Sequence, residues 1–337
     1  MMQWNNSSKV MDITYFYRNP KAGFSIYKVF NTLTKVIGKT ITINEEIVPE
    51  HRAGLSSVLK NMIYIFRHRN KKGINHITGE IHYGILALIG CKTVLTIHDL
   101  SAMDCAHNPL KKFIMKWLWF KLPLMFATKV VCISAHTKSE LLKITSRTDI
   151  EMIHNAVDPM FTAIEKAFNP HRPVILQIGT AWNKNLKNII ESIVNIPCVL
   201  VVIGNVSQEL MITMKRRGIS FEIKVGLSDA DLFQEYVRAD IISFCSIFEG
   251  FGMPIIEGNA IGRSVLTSSL APMTEVAGNA ASFVDPNDIS SITAGLNRII
   301  TDIAYRTQII RNGFENVGRF RAEYLAQEYI TIYNTLT

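Results

Sequence analysis

The run DIISFCSIFEGFGMPIIEGNAIGRSVLTSS, residues 240–269, decides how the chain is read. It opens on an uninterrupted apolar stretch, crosses a loop, enters a short helix and closes on a second apolar stretch. A strand, a helix and a strand joined this tightly read as a parallel crossover unit. Pro254 suits the first position of the helix, where its missing N–H costs nothing. Met253 before it cannot cap the helix as Ser or Asp does, so the first-turn amides lack a local side-chain acceptor. With the helix dipole they make a site for phosphate or another anion. Gly250 and Gly252 remove side chains where backbone must approach a ligand, and Gly262 ends the helix. Glu249 precedes the loop. Glu257 lies one turn into the helix, where a carboxylate can accept two hydrogen bonds from a vicinal diol such as a ribose. Taken singly, Glu257 reads equally as a complement to the helix dipole and Glu249 as a solvated acid. Taken together around two glycines and a proline, they favour a ligand.

The same alternation extends outward from this unit. Short buried-strand runs stand at 12–17, 74–78, 93–98, 129–134 and 150–155, then at 173–179, 198–204, 221–226, 240–245, 264–269 and 281–285. Each is followed by a helix-like segment. Unbroken apolar strands alternating with helices imply α/β architecture with parallel sheets covered on both faces. Eleven strands are too many for one comfortable sheet, and 337 residues suffice for about two cores. The expected division is 1–165 and 170–318, with the seam in DPMFTAIEKAFNPHRP, 158–173, where prolines and charges interrupt the pattern. The closing segment RAEYLAQEYITIYNTL, 321–336, has apolar residues at helical spacing and no strand of its own.

Composition narrows the class. Apolar residues at 48% with 19% charged are ordinary for a globular enzyme. The five cysteines, Cys91, Cys105, Cys132, Cys198 and Cys245, form no Cys-x-x-Cys pair, and most sit in apolar runs. They read as reduced core residues of a cytoplasmic protein. The amino-terminal MMQWNNSSKVMDITYF carries no basic-then-apolar leader pattern. The greasiest stretch, Phe113 to Ala127, holds Lys116, Lys121 and Pro123 and is too short to span a bilayer. Of the net charge of +8, residues 1–168 contribute +10 and the remainder −2. A basic half fits a solvated face, an anionic membrane surface or a phosphorylated substrate. No aromatic-interleaved basic stretch points to nucleic acid. Within NPLKKFIMKWLWFKLPLMFATK, 108–129, Lys112 and Lys116 share a helix face while Trp117, Trp119 and Phe120 spread around it. The segment reads as a half-buried core helix or as an interfacial helix resting on anionic lipid.

With these residues in view, the chain resembles the retaining, nucleotide-sugar-dependent glycosyltransferases of family four. Glu249 and Glu257 match that family's Glu-x7-Glu motif. The similarity continues through APMTEVAGNAASFVDPND (271–288), HNAVDPMF (154–161), VVCISAHTKSEL (130–141) and TIHDL (96–100), in the family's order. The resemblance implies the GT-B fold, two Rossmann-like doubly wound parallel-sheet domains facing a cleft, with residues 319–337 packing back on the first. It implies that Glu249 contacts the donor sugar, that the loop Gly250–Phe251–Gly252–Met253 holds the donor through its amides, and that Glu257 binds the nucleotide ribose. In IGTAWNKN, 178–185, Gly179 and Lys184 match the diphosphate-binding turn, with Asn183 where the family often has arginine. His98, at the end of a strand, matches a residue beside the reaction centre, and Gly23 matches a glycine loop near the diphosphate. His76 and His82 are candidates for the acceptor side.

The mechanism this implies follows from charge. Departure of the leaving group puts negative charge on the diphosphate, which Lys184 and the helix amides stabilise without a cation. An acceptor hydroxyl arriving on the same face gives retention. A covalent route needs a carboxylate on the opposite face. The Asp-x-Asp of SDADLF, 228–233, is a metal motif in another architecture, but Ser228 and Asp231 here read as a capping box. No metal and no cofactor are expected, since the nucleotide sugar is a co-substrate and neither a Gly-x-Gly-x-x-Gly nor a Walker loop is present. The acceptor would be a glycan or lipid-linked saccharide of surface polysaccharide synthesis. A sugar phosphorylase, a nucleotide-sugar epimerase and a silent donor-binding subunit are the alternatives.

Overall fold

Apolar β-branched runs with no polar alternation need cover on both faces, and the chain meets that need twice. The computed structural model describes residues 11–23, 25–101 and 109–337. The first sheet contains β1 (Asp12–Tyr17), β2 (Thr42–Ile47), β3 (Ile74–Ile77), β4 (Lys92–Ile97), β5 (Lys129–Cys132) and β6 (Ile150–Met152), in the order β2-β1-β3-β4-β5-β6. The second contains β7 (Val174–Ile178), β8 (Val199–Ile203), β9 (Ser220–Lys224), β10 (Ile241–Phe244), β11 (Ser264–Ser268) and β12 (Ser282–Val284), in the order β12-β11-β10-β7-β8-β9. Every pairing is parallel. The doubly wound α/β reading therefore holds. Strand order reverses between β1 and β3 in the first sheet and between β7 and β10 in the second, and ligands of such sheets bind outside the carboxyl ends at that point.

The sequence reading misses β2. TINEEI lacks the apolar run because it is an edge strand, paired among the described residues only to β1, and charged edges resist stray pairing. Its acids bond inward: Tyr17 donates to Glu45 at 3.0 Å and Tyr64 to Glu46 at 2.5 Å.

Described residues up to Ala156, with Ala322–Thr337, form one unit, and Val157–Arg321 form the other. The passage lies nearer the amino terminus than 158–173, because residues 157–165 are already bound to the second unit. Val157 N–H donates to Phe320 O at 2.9 Å, and buried Arg263 donates through Nη1 to Ile164 O at 2.8 Å. Helix Ala322–Asn334 supplies Leu325, Ala326, Tyr329 and Tyr333 to the core over Ile13, Tyr15 and Phe30 of the first unit. The Tyr15 and Tyr333 hydroxyls lie 2.7 Å apart, and Tyr333 also meets His76 Nδ1 at 2.7 Å. His76 Nε2 bonds Thr96 Oγ1 at 2.8 Å. His76 is thus a wholly buried core residue and not an acceptor contact. His82 is buried too, with Nδ1 on Trp119 O at 3.0 Å and its ring against Phe120.

Four described cysteines are free, and Cys105 lies outside the described residues. The capping box is present, with Ser228 Oγ accepting from Asp231 N–H at 3.1 Å.

Candidate active site

In the second unit the turn after β7 and the turn after β10 meet at the strand-order reversal. Ile247 N–H donates to Asn183 O at 2.8 Å, and Asn183 Nδ2 donates to Phe248 O at 2.8 Å and Glu249 Oε1 at 3.2 Å. Asn185 takes a left-handed conformation, φ 59°, and its buried amide donates to Cys245 O at 3.1 Å and Pro286 O at 2.6 Å. Lys184 Nζ, held 4.9 Å above the Phe244 ring, pairs with Glu249 Oε1 at 2.6 Å. Gly179 is needed beneath it. Its φ is +84°, and a Cβ there would stand 3.0 Å from Lys184 Cγ. Asn183, which stands where the family often has arginine, therefore ties the two turns together and adds no charge.

The following helix runs Met253–Ile261, one residue earlier than the sequence suggests, with Met253 first and Pro254 second. Gly252, φ 126°, precedes it, and no side chain caps it. Gly262 ends it in the left-handed region, φ 78°. Gly250 lies in the same turn. The Phe251 ring is buried against Phe320 at 5.8 Å, so only its backbone belongs to the turn. Glu257 is half-buried and accepts a hydrogen bond from the Tyr236 hydroxyl. Burial, and then the Glu257 charge, push the Tyr236 hydroxyl well above its ordinary range, so it remains a donor. Tyr236 escapes sequence reasoning because its helix, Asp229–Arg238, carries no motif beyond the cap.

In the first unit, His98 follows β4 and donates Nε2–H to Thr78 O at 2.8 Å, the only role a carbonyl partner allows. Burial lowers its pKa to about 4, against the pull of the Thr78 carbonyl. The neutral ring thus keeps a lone pair on Nδ1, which can accept a hydrogen bond from a hydroxyl. Gly79 admits the ring, since a Cβ would stand 2.6 Å from its Cδ2. Gly23, φ 141°, caps the short turn after β1. Arg18 lies against it, donating Nε–H to Gly23 O at 3.0 Å and pairing with Glu80, and sequence reasoning passed it over.

Residues 51–161 match the model of Glycosyltransferase Family 4, and 162–316 that of Glycosyl transferases group 1. The chain belongs to the family 4 glycosyltransferases. This glycosyltransferase is 22% identical to the O-antigen chain mannosyltransferase B of Escherichia coli, over 73% of the chain and 71% of the relative. It is 24% identical to the O-antigen chain mannosyltransferase RfbU of Salmonella typhimurium, over 69% of each. Sucrose-phosphate synthase from Thermosynechococcus elongatus superposes with a TM-score of 0.79 at 15% identity, over 97% of this chain and 99% of that one. Anabaena Alr3699/HepE, solved in complex with UDP and glucose, superposes with a TM-score of 0.79 at 14% identity, over 97% and 100%. The fold of the glycosyltransferase is accordingly GT-B.

Proposed function

We propose that this glycosyltransferase moves a hexosyl residue from a nucleotide-diphosphate sugar to a glycan or lipid-linked saccharide, with retention and without a metal, in surface polysaccharide synthesis. The observation that carries the reading is the Lys184–Glu249 pair beside an uncapped helix start at the strand-order reversal of the second unit. A cation and aligned amides are what a departing diphosphate requires. Glu249 Oε2 has no partner among the described residues, which leaves an acceptor for a sugar hydroxyl. Glu257, steadied by Tyr236, takes the ribose. Mannose is the first sugar to test, given the names of the two bacterial relatives.

A panel of nucleoside diphosphates and their sugars should raise the melting temperature for one base only, because binding to the folded state stabilises it. With that donor and an acceptor, NMR should show the donor's anomeric configuration kept, in the presence of EDTA. An inverted product refutes the front-face route, and loss of turnover in EDTA refutes metal independence. Donor conversion without acceptor would instead mark an epimerase.

A peripheral contact with anionic membrane at the cytoplasmic face is part of the proposal. Among the described residues no helix is long and apolar enough to cross a membrane. The segment from Pro109 to Phe126 buries Trp119, Phe120 and Leu124 but exposes Leu110, Phe113, Ile114, Trp117, Met125 and Phe126. Lys112, Lys116 and Lys121 accompany this apolar face. Exposed apolar side chains among lysines suit a negatively charged headgroup layer. Sedimentation with liposomes containing phosphatidylglycerol should carry the protein down, and Phe113→Ser with Trp117→Ser should release it. Equal sedimentation of wild type and variant would remove the contact.

A further inference from the structure

Arg18 leaves β1 at the strand-order reversal of the first sheet, opposite the turn after β3. Its side chain is only 11% exposed, and the backbone around it is built to admit it. A Cβ on Gly23 would stand 2.3 Å from Arg18 Nη2, so the glycine makes room for a guanidinium. Glu80, the ion-pair partner, adopts φ 54°, an unfavourable region for a non-glycine residue. Its carbonyl is held there by Trp119 Nε1–H at 2.8 Å. Asp99 acts on Arg18 through its charge without a direct hydrogen bond, its Oδ1 accepting from Ser101 N–H at 2.8 Å and Ser101 Oγ at 2.5 Å. Arg18 spends Nε on Gly23 O and Nη1 on Glu80, while Nη2 has no acceptor among the described residues.

We propose that Arg18 is a phosphate-recognition residue of the first unit, with the Glu80 carboxylate occupying its fork until a phosphate displaces it. A planar guanidinium with an unspent amino group matches two phosphate oxygens, and a phosphate carries more charge than the carboxylate it replaces. Glu80, half exposed at 50%, can swing into solvent while Arg18 stays fixed. The inference rests on the nucleotide-sugar reading. The phosphate is the donor's or that of a lipid-diphosphate-linked acceptor.

Isothermal titration with UDP, GDP and farnesyl diphosphate decides it, on wild type, Arg18→Gln, Glu80→Gln and Lys184→Gln. Arg18→Gln should weaken one class of probe about tenfold, and Glu80→Gln should tighten the same class by removing the competitor. A nucleotide effect assigns the donor, and a farnesyl diphosphate effect assigns the acceptor. If both variants bind every probe as wild type does, or wild type binds none, the proposal is overturned. Nucleotide binding lost in Lys184→Gln but unchanged in Arg18→Gln and Glu80→Gln sinks this inference alone. The reverse pattern sinks the Lys184 reading alone. Should Arg18→Gln fold poorly, Glu80→Gln decides, and no tightening for any probe counts against it.

Discussion

Glu249→Ala should lower turnover roughly a thousandfold while tightening the grip on a free nucleoside diphosphate. The two effects have opposite signs because the proposed mechanism gives Glu249 two tasks at once. Its Oε1 pairs with Lys184 at 2.6 Å, and in the proposed mechanism its other oxygen meets the sugar. Removing the carboxylate takes away stabilisation of a ring that turns positive as the leaving group departs, which lowers kcat. The same change frees the Lys184 charge for phosphate, so the product nucleotide should bind several-fold more tightly. Glu249→Gln keeps a carbonyl oxygen for Asn183 Nδ2 and separates lost charge from loosened turns. Steady-state kinetics with calorimetry on the nucleotide reads both quantities. If affinity and turnover fall together, the carboxylate is a scaffold for the two turns. If turnover persists, its assignment at the reaction centre is wrong.

Mild acid should unfold the first unit well before the second. His76, His82 and His98 are buried there, and desolvation pulls their pKa values to about 3, about 4 and about 4, from 6.5. The folded state refuses protons that the unfolded chain accepts below pH 6.5. Stability is therefore whole above that pH and drains as pH falls toward the folded values. Each histidine costs about 1.4 kcal/mol per pH unit, so three approach 4 kcal/mol per unit, or roughly 6 kcal/mol at pH 5. That is comparable with the whole stability of a domain. Hydrogen exchange at pH 7 and pH 5 should show the amides of β1, β3 and β4 losing protection while those of β7, β8 and β10 keep theirs. Equal protection loss in both sheets would contradict this account.

What the sequence discloses follows from how the information is stored in it. Strands such as PVILQIG and CVLVVIG announce themselves, because both faces are covered and every position is apolar. TINEEI is silent, because its edge position rewards polar residues. Glu249 is readable beside its glycines and Lys184 only through the family resemblance, and the topology brings their turns together. The helix start shifts by one residue because Gly252, at φ 126°, takes the place before Met253 that Met253 was expected to fill before Pro254. Tyr236 and Arg18 stay hidden for a different reason. Each acts through a partner far along the chain, Glu257 and Glu80, and nothing local marks such a pair. His76 misled because a histidine in a strand looks the same whether it faces a ligand or, as here, the hydroxyls of Tyr333 and Thr96.

The return of Ala322–Thr337 to the first unit bears on how the chain is made. On the ribosome, β1 to β6 emerge first, yet their layer lacks Leu325, Tyr329 and Tyr333 until residues encoded after the second unit have been translated. The later-born unit is contiguous and can finish first. The earlier one must wait, open along that flank, so its half-built intermediate is where a chaperone would be needed.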